Sequence, residues 1–330
     1  MTMEERFAAA VAAARAVATL EEYGRLIEDL RDAAGAGPEA LRVGAAATRD
    51  ADPVVRKTAC DLLGAVANQH PALRADAATA VLALEPTEIH PDVLWAMVRA
   101  LGQTGDRRAV PLLVELARHD DADVRYMVAS MLPWVRDDDD ADGLAALLRL
   151  CRDNEVGVRE WATYGLGQLT SADGAMVRDL LWEATTDEDE DVRAEGARGL
   201  ARRRDHRALP LVAELLQTPE YDVFNQLAAG YLGEASLVPL LLAYAPDEQS
   251  AAEALRECDP VRRAARDAFA ADLFDALSAD RTGVALYGTR CETGLTLAVG
   301  DRTWSVEDLL DDTGGDPAEA ARRVTADLTA

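Results

Sequence analysis

The chain has 330 residues, and its 60 Asp and Glu against 34 Lys and Arg give a net charge of −26 at pH 7. This charge repels polyanions and disfavours nucleic acid or an anionic membrane as the main partner. Hydrophobic residues make up 49% of the chain but aromatic residues only 5%, which favours closely packed helices over a sandwich or barrel. There is no apolar run of about 18 residues, and Glu4 and Glu5 do not suit a secretory signal, so we expect a cytoplasmic protein.

Residues 1–37 are rich in Ala and end in the sequence GAGP. The spacing of their apolar residues predicts an amphipathic pair of helices. Because the end of a repeat array exposes an apolar face, we predict that this segment is an N-terminal helical cap.

Residues 38–245 contain an internal repeat that starts with an acid, two variable residues, Val and Arg. The frame occurs as DPVVR, DADVR, EVGVR and DEDVR, with degenerate copies at HPDVL and YDVFN, and its last position falls at 56, 94, 125, 159, 193 and 225. In every copy a Leu follows seven residues later and Val or Phe precedes the Arg position, which places both on one face of a helix. Stretches such as RRAVPLLVELARH lie between the frames, so each period contains two helices.

This two-helix period lacks the tetratricopeptide WxxLG and ankyrin TPLH signatures. The acid-xx-Val-Arg start followed by Ala and Leu resembles HEAT repeats, especially the short HEAT-like repeats of the phycobilisome-lyase type. The resemblance implies an all-α fold of the armadillo type. We expect a right-handed α-solenoid of about six to seven HEAT-like helical pairs with a small C-terminal β-containing cap.

The acid and the Arg of the frame are lost together, because the copies at 94 and 225 lack both. An acid four residues before Arg can cap the helix, favour its dipole and pair with an Arg of the same or the adjacent repeat. We therefore predict a structural ladder rather than an active site. Its members are Asp52, Arg56, Asp121, Arg125, Glu155, Arg159, Asp189 and Arg193.

The pattern changes after residue 245. Residues 246–281 contain DPVRRAARDAF and are predicted to form a degenerate terminal repeat. Residues 282–330 contain TGVALYG, TGLTLAVG and TWSVEDLL, which predict a small β-hairpin or three-stranded unit followed by a helix near 316–328. We expect this unit to cap the last apolar face.

The frame helices of HEAT proteins line the concave surface. Positions 1, 5 and 9 residues after the Arg turn away from the packed face and here collect Trp, Tyr and Arg in an aromatic-poor chain. Two interpretations stay open: an exposed binding surface, or rings that pack between neighbouring repeats. The candidate partner-binding residues are Trp95, Arg99, Gln103, Tyr126, Trp134, Trp161, Tyr164, Gln168, Arg198 and Arg202.

The sequence contains no GxSxG, P-loop, GxGxxG or HExxH motif. Asp138 begins a stretch like a calcium loop, but Arg149 stands where the bidentate Glu is needed. The cysteines form no CxxC pair and are predicted to be buried thiols: Cys60, Cys151, Cys258 and Cys291. We predict no catalytic residue, no metal site and no cofactor.

The sequence suggests three candidate functions. The favoured one is a non-catalytic scaffold that binds a protein or peptide on its concave face. The alternative, which the phycobilisome-lyase resemblance implies, is an accessory protein that holds a small planar anionic ligand for delivery to a partner protein. A HEAT-like DNA glycosylase is disfavoured by the acidic charge.

Acidic turns, such as those with Asp121 and Asp123, are predicted to cap helices, with docking of a basic partner as the alternative.

Overall fold

The computed structural model describes residues 1–84, 88–217, 222–244, 249–279, 281–288 and 294–329. Tyr221 of the degenerate frame and Cys291 lie outside these ranges. Cys60, Cys151 and Cys258 are buried, as predicted. No helix in the described ranges combines the length and the apolar character that crossing a lipid bilayer requires.

The described chain is mainly helical. Its helices are α1 (Met3–Ala16), α2 (Leu20–Ala34), α3 (Pro38–Ala47), α4 (Pro53–Gln69), α5 (Arg74–Leu82), α6 (Pro91–Thr104), α7 (Val110–Leu116), α8 (Ala122–Val135), α9 (Ala141–Leu150), α10 (Val156–Tyr164), α11 (Ala175–Ala184), α12 (Glu190–Arg202), α13 (Leu209–Leu215), α14 (Asp222–Leu232), α15 (Val238–Leu241), α16 (Gln249–Cys258), α17 (Pro260–Ser278), α18 (Val306–Asp312) and α19 (Pro317–Thr329). Short 3₁₀ turns span Pro71–Leu73, Arg107–Ala109, His206–Ala208 and Ala235–Leu237, and a π-helical turn, Gly165–Leu169, continues α10. The strands are β1 (Val284–Tyr287), β2 (Thr296–Val299) and β3 (Arg302–Ser305).

The chain divides into two compact units, Met1–Ala172 and Asp173–Ala330. This boundary falls inside the predicted repeat array. The division into 1–37, 38–245, 246–281 and 282–330 stays a prediction.

In the first unit the frame helices pack against one another in the order α4, α6, α8 and α10, with α3, α5, α7 and α9 beside them. The Leu that ends each frame is fully buried in this unit, as at Leu63, Leu101 and Leu132. Helices α1 and α2 pack on α4, where Phe7 and Leu30 join the core. The predicted helical repeat with one apolar face per frame helix is confirmed.

In the second unit, α12 packs on α11 and α14, α14 on α16, and α17 on α19 and β1. The degenerate frame departs from the pattern, because Phe224 is 46% exposed. The strands form an antiparallel sheet in the order β1-β2-β3, with Val284 opposite Val299. Leu297 and Val306 are buried in the core that the sheet shares with α17 and α19. The predicted small β unit followed by a terminal helix is confirmed.

The frame acids act as helix caps. The carboxylates of Asp52, Asp121 and Asp189 accept backbone N–H groups in the first turns of α4, α8 and α12, whereas Glu155 occupies the same position without a capping hydrogen bond. The predicted pairing of these acids with the frame arginines needs correction, because Asp52 pairs with Arg15 and the frame arginines bind other groups.

The Nη1 atom of each frame arginine forms hydrogen bonds with the loop that precedes its own helix. Arg56, Arg125, Arg159 and Arg193 donate from this atom to the carbonyl oxygens five and six residues earlier, at 2.8 to 3.2 Å. In the first unit the Nε–Nη2 edge of the guanidinium binds an acid in the loop before the next frame helix. Arg56 binds Glu88 through Nε and Nη2 at 2.6 and 3.1 Å, and Arg125 binds Asp153 in the same way at 2.7 and 2.9 Å.

The acid that receives this arginine lies six residues before the next frame position, two before the cap. Four acids at this position, Asp50, Glu88, Asp153 and Asp187, each accept the backbone N–H two residues later, at 2.9 to 3.0 Å. Of these, Glu88 and Asp153 are the acids that the structure shows bound to a frame arginine. A planar carboxylate can hold a guanidinium and a backbone N–H together, which explains the choice of residue. The ladder therefore links Arg56 to Glu88 and Arg125 to Asp153.

We expect Arg125→Gln to lower the free energy of unfolding by about 2–4 kcal/mol, because the change leaves the half-buried Asp153 carboxylate without its bidentate partner. Urea unfolding followed by circular dichroism measures this. The matched control is Arg107→Gln in the same unit, whose 74% exposed side chain pairs with Asp137 on the surface and should cost under about 1 kcal/mol. Equal losses in the two variants would contradict the ladder.

The ladder also predicts a dependence on pH. Burial raises the pKa of Asp153, but the hydrogen bonds from Arg125 and from the Glu155 backbone outweigh burial and hold that pKa below its ordinary value. The stabilisation is complete above the unfolded-state pKa of about 3.9 and is lost as the pH falls through the lower folded-state value. The stability difference between wild type and Arg125→Gln should therefore shrink below about pH 4. A constant difference down to acid unfolding would contradict this assignment.

Candidate functional site

Five side chains of the first unit form a group that we call the Tyr23–Trp95 cluster: Tyr23, Lys57, Asp61, Trp95 and Arg99. Tyr23 lies on α2. Lys57 and Asp61 lie one turn apart on α4, and Trp95 and Arg99 lie one turn apart at the equivalent positions of α6. Because α4 and α6 pack side by side, their outward rows meet.

The two aromatic rings of this cluster are held between two cations. The rings of Tyr23 and Trp95 meet edge to face, with centroids 6.3 Å apart. Lys57 Nζ lies 4.7 Å from the Tyr23 centroid and 5.7 Å from that of Trp95. Arg99 Cζ lies 5.8 and 5.4 Å from the same two centroids. All four distances are within the range of cation–π attraction, so the rings are fixed in place.

Asp61 is the buried counter-ion of the cluster, with 1% of its side chain exposed. It accepts from Arg99 Nη2 at 2.8 Å and from Lys57 Nζ at 3.3 Å. Burial, followed by the Asp61 charge, raises the pKa of Tyr23, so its hydroxyl stays protonated at neutral pH. The Tyr23 hydroxyl and Arg99 Nε are buried and have no hydrogen-bond partner within the described ranges.

A cavity of about 400 Å³ opens beside the cluster, at the first turns of α4, α6 and α8. Its floor is apolar and aromatic. The lining residues are Ala14, Val17, Tyr23, Leu26, Val54, Lys57, Pro91, Asp92, Trp95, Asp121 and Asp123. The three aspartates carry negative charge at the cavity, whereas its ammonium group, Lys57, is already paired with Asp61. The cavity thus combines an aromatic floor with an excess of carboxylate.

Tyr126, Trp161 and Tyr164 form a second aromatic cluster on α8 and α10. Trp161 meets Tyr126 and Tyr164 edge to face, with centroid distances of 6.1 and 5.7 Å. A Cβ at Gly157 would lie 3.4 Å from the Tyr126 ring, so a glycine leaves room for that ring. These half-buried rings pack between neighbouring repeats, which is one of the two interpretations left open for them.

The other predicted residues of the first unit lie outside the two clusters. Trp134 is 59% exposed near the end of α8. Gln103 is half-buried against Gly64, where an added Cβ would lie 2.0 Å from its Oε1. Gln168 is half-buried in the π-helical turn.

Arg198 and Arg202 belong to the second unit. Arg198 is 4% exposed, donates to Asn225 Oδ1 from Nε and Nη2 at 3.1 and 3.0 Å, and pairs with Glu195. Its prediction as a ligand-binding residue is therefore corrected, because its hydrogen bonds are used inside the fold. Arg202 is half-buried on α12. Of the predicted residues, the structure thus brings Trp95 and Arg99 together, and Trp95 lines the cavity.

Three members of the site were absent from the predicted set. Tyr23 comes from the segment interpreted as a cap, where nothing in the repeat period points to it. Lys57 had a detectable signal, because it is the one lysine of the sequence among 33 arginines. Asp61 and Arg99 both lie five residues after the frame position of their repeats, and this shared position is a signal from which their contact could have been predicted. No group of three or more potential metal ligands was found among the described residues.

Comparison with known proteins defines the class. Residues 79–167 and 150–233 match the family of HEAT repeats. Together with the paired helices and the frame arginines, this match confirms the resemblance: residues 79–233 consist of HEAT repeats.

Its relatives include YibA of Escherichia coli K12, which is 35% identical over 96 residues. The aligned segment covers 29% of this chain and about a third, 34%, of YibA. The X-ray structure of E. coli YibA has a TM-score of 0.58 at 20% identity and covers 79% of this chain and 93% of that chain. An engineered protein has a TM-score of 0.51 at 16% identity, with 76% of each chain covered. These similarities show the fold.

A structure of the CpcE–CpcF complex of phycocyanin lyase from Nostoc is more distant. It has a TM-score of 0.44 at 17% identity and covers 66% of this chain and 93% of that chain. This similarity gives no basis for assigning a function.

We expect Asp61→Asn to lower the free energy of unfolding by about 2–4 kcal/mol, because two neighbouring cations lose their buried carboxylate. Urea denaturation of the two proteins measures the loss. Asp92→Asn is the control: this side chain is 75% exposed, and its neutralisation should change stability by less than about 0.5 kcal/mol. An Asp61→Asn protein as stable as the control would contradict a counter-ion role.

Proposed function

We propose that this chain is a non-catalytic scaffold that binds a protein segment, and that the cavity beside the Tyr23–Trp95 cluster receives a basic part of that segment. The observation that carries the proposal is the combination of a fixed aromatic floor with aspartates at one cavity. Aromatic side chains with fixed orientation supply large contact area at little entropic cost, which is typical of interface anchors.

The residues that line the cavity favour a ligand with two different chemical groups. Lys57 already lies near both rings of the cluster, so a second ammonium or guanidinium is repelled from their faces. An apolar or aromatic residue of the partner fits the floor formed by Val17, Leu26 and Trp95. An adjacent Arg or Lys of the partner then pairs with Asp92 or Asp123, both of which are exposed.

The charge of the whole protein supports this choice of partner. A net charge of −26 attracts a basic segment over long range and raises its association rate at low ionic strength. At this cavity, the same charge and the three aspartates weigh against a small planar anionic ligand. Lys57 does not offset them, because Asp61 shares its charge.

Selection from a displayed peptide library on the immobilised protein tests the proposal. We expect enriched peptides to carry Arg or Lys next to an apolar or aromatic residue. For such a peptide, Trp95→Ala should lower the affinity at least about 30-fold, as for a central interface anchor. Affinity should also fall as salt is raised, because the pairing aspartates are exposed.

The control is Trp182→Ala, which removes the same residue type from a 39% exposed position in the second unit. It should leave peptide affinity unchanged. Enrichment of acidic peptides, or equal losses in Trp95→Ala and Trp182→Ala, would refute the proposed site.

A further inference from the structure

The second unit contains a cavity of about 550 Å³ whose charge is opposite to that of the Tyr23–Trp95 site. It is lined by the three arginines Arg204, Arg263 and Arg266 and by one carboxylate, Glu257. The remaining lining is Gly230, Tyr231, Leu232, Gly233, Gly288, Gly294 and Leu295. A basic cavity is unexpected in a chain with 60 acidic and 34 basic residues.

Arg266 is the structural arginine of this cavity. Its side chain is 7% exposed and pairs with Glu257, Glu307 and Asp267. Glu257 also accepts the Gly294 backbone N–H at 3.1 Å. The carboxylates near Arg266 are thus already bound to it, and they leave the other two guanidinium groups uncompensated.

Arg263 repeats part of the geometry of the ladder and lacks its acid. It lies four residues after the cap Asp259, and its Nη1 donates to the Glu257 carbonyl oxygen six residues earlier at 3.0 Å, as in the ladder. Its second Nη1 contact is to the Gly233 carbonyl oxygen at 3.1 Å, in place of the carbonyl five residues earlier. In Arg56 and Arg125 this anchoring leaves the Nε–Nη2 edge free to bind a carboxylate with two hydrogen bonds. The same edge of Arg263 has no partner in the described part of the chain.

Arg204 stands where the backbone favours glycine. Its φ is 54°, in the left-handed region, and it is the one residue other than glycine with a positive φ among those described. Gly105 occupies the equivalent place after α6, with a φ of 63°. A residue other than glycine at such a position lowers the stability of the fold by about 1–2 kcal/mol. Backbone strain of this kind is concentrated at functional sites. Arg204 is exposed, and its guanidinium has no partner within the described ranges.

We infer that this cavity binds a carboxylate-bearing ligand. Arg263 holds the carboxylate through its Nε–Nη2 edge, as Arg56 holds Glu88 and Arg125 holds Asp153 in the first unit. Arg204 supplies the second positive charge. Bidentate pairing favours a planar carboxylate, because its two oxygens match the spacing of the two N–H groups. The carboxylate comes either from a small organic acid or from an acidic side chain of a peptide.

Isothermal titration of the full chain with glutarate, and separately with an acetylated triglutamate peptide, tests this inference. Heat with glutarate identifies a small acid as sufficient, and heat with the peptide alone identifies an acidic segment; either result supports the site. Arg263→Lys, which keeps the charge but loses the fork, should weaken binding at least about tenfold. No heat with either probe would overturn the inference.

Arg204→Gly gives a second and independent readout. Without ligand it should raise the melting temperature, because a glycine removes the backbone strain, yet it should reduce the stabilisation that the probe produces. A purely structural role for Arg204 predicts a loss of stability instead, and that result would count against the site.

A further variant controls for the loss of positive charge. Arg262→Ala removes the same charge one residue away on α17, from a 51% exposed side chain that pairs with Asp259, and should leave probe binding intact.

Discussion

The feature on which the rest of the structure depends is the guanidinium that joins the loops before neighbouring frame helices. One edge of Arg56 or Arg125 bonds to the loop before its own helix, and the other edge binds an acid in the loop before the next frame helix. Because arginine stays charged at all relevant pH values and offers donors in a rigid plane, it can satisfy carbonyls and a carboxylate at once. These bonds fix the register between neighbouring frame helices. Register in turn places Lys57 beside Trp95 and Asp61 beside Arg99.

Features that depend on residues close together in the sequence were predictable, and contacts between distant segments were not. The helical pairs and the buried Leu positions were predictable, because helical period is a local property. The acids that bind the arginines were not, since their position depends on how a loop folds back rather than on spacing along a helix. Arg198 illustrates the same limit. Its row position predicted exposure, but Asn225, at the degenerate frame position, accepts its hydrogen bonds and donates to Leu215 O at 2.9 Å. Tyr23 was out of reach because it lies outside the repeat period.

The two units carry candidate sites of opposite sign. In the first unit, aspartates surround an aromatic floor, and in the second, arginines surround a cavity rich in glycine backbone. Both sites use residues near helix starts and ends, where side chains of a repeat fold are not needed for packing between helices. A HEAT-repeat chain can therefore vary its ligands by changing a few loop and first-turn residues, while the buried Leu positions keep the helices stacked.

Lys57 has a practical consequence for studying the molecule. Reagents that acylate primary amines have just one side-chain target in the sequence, apart from the terminal amine. That target lines the aromatic cavity, with 24% of its side chain exposed. A fluorophore or cross-linker attached there would report directly on occupancy of the cavity, without any engineered residue.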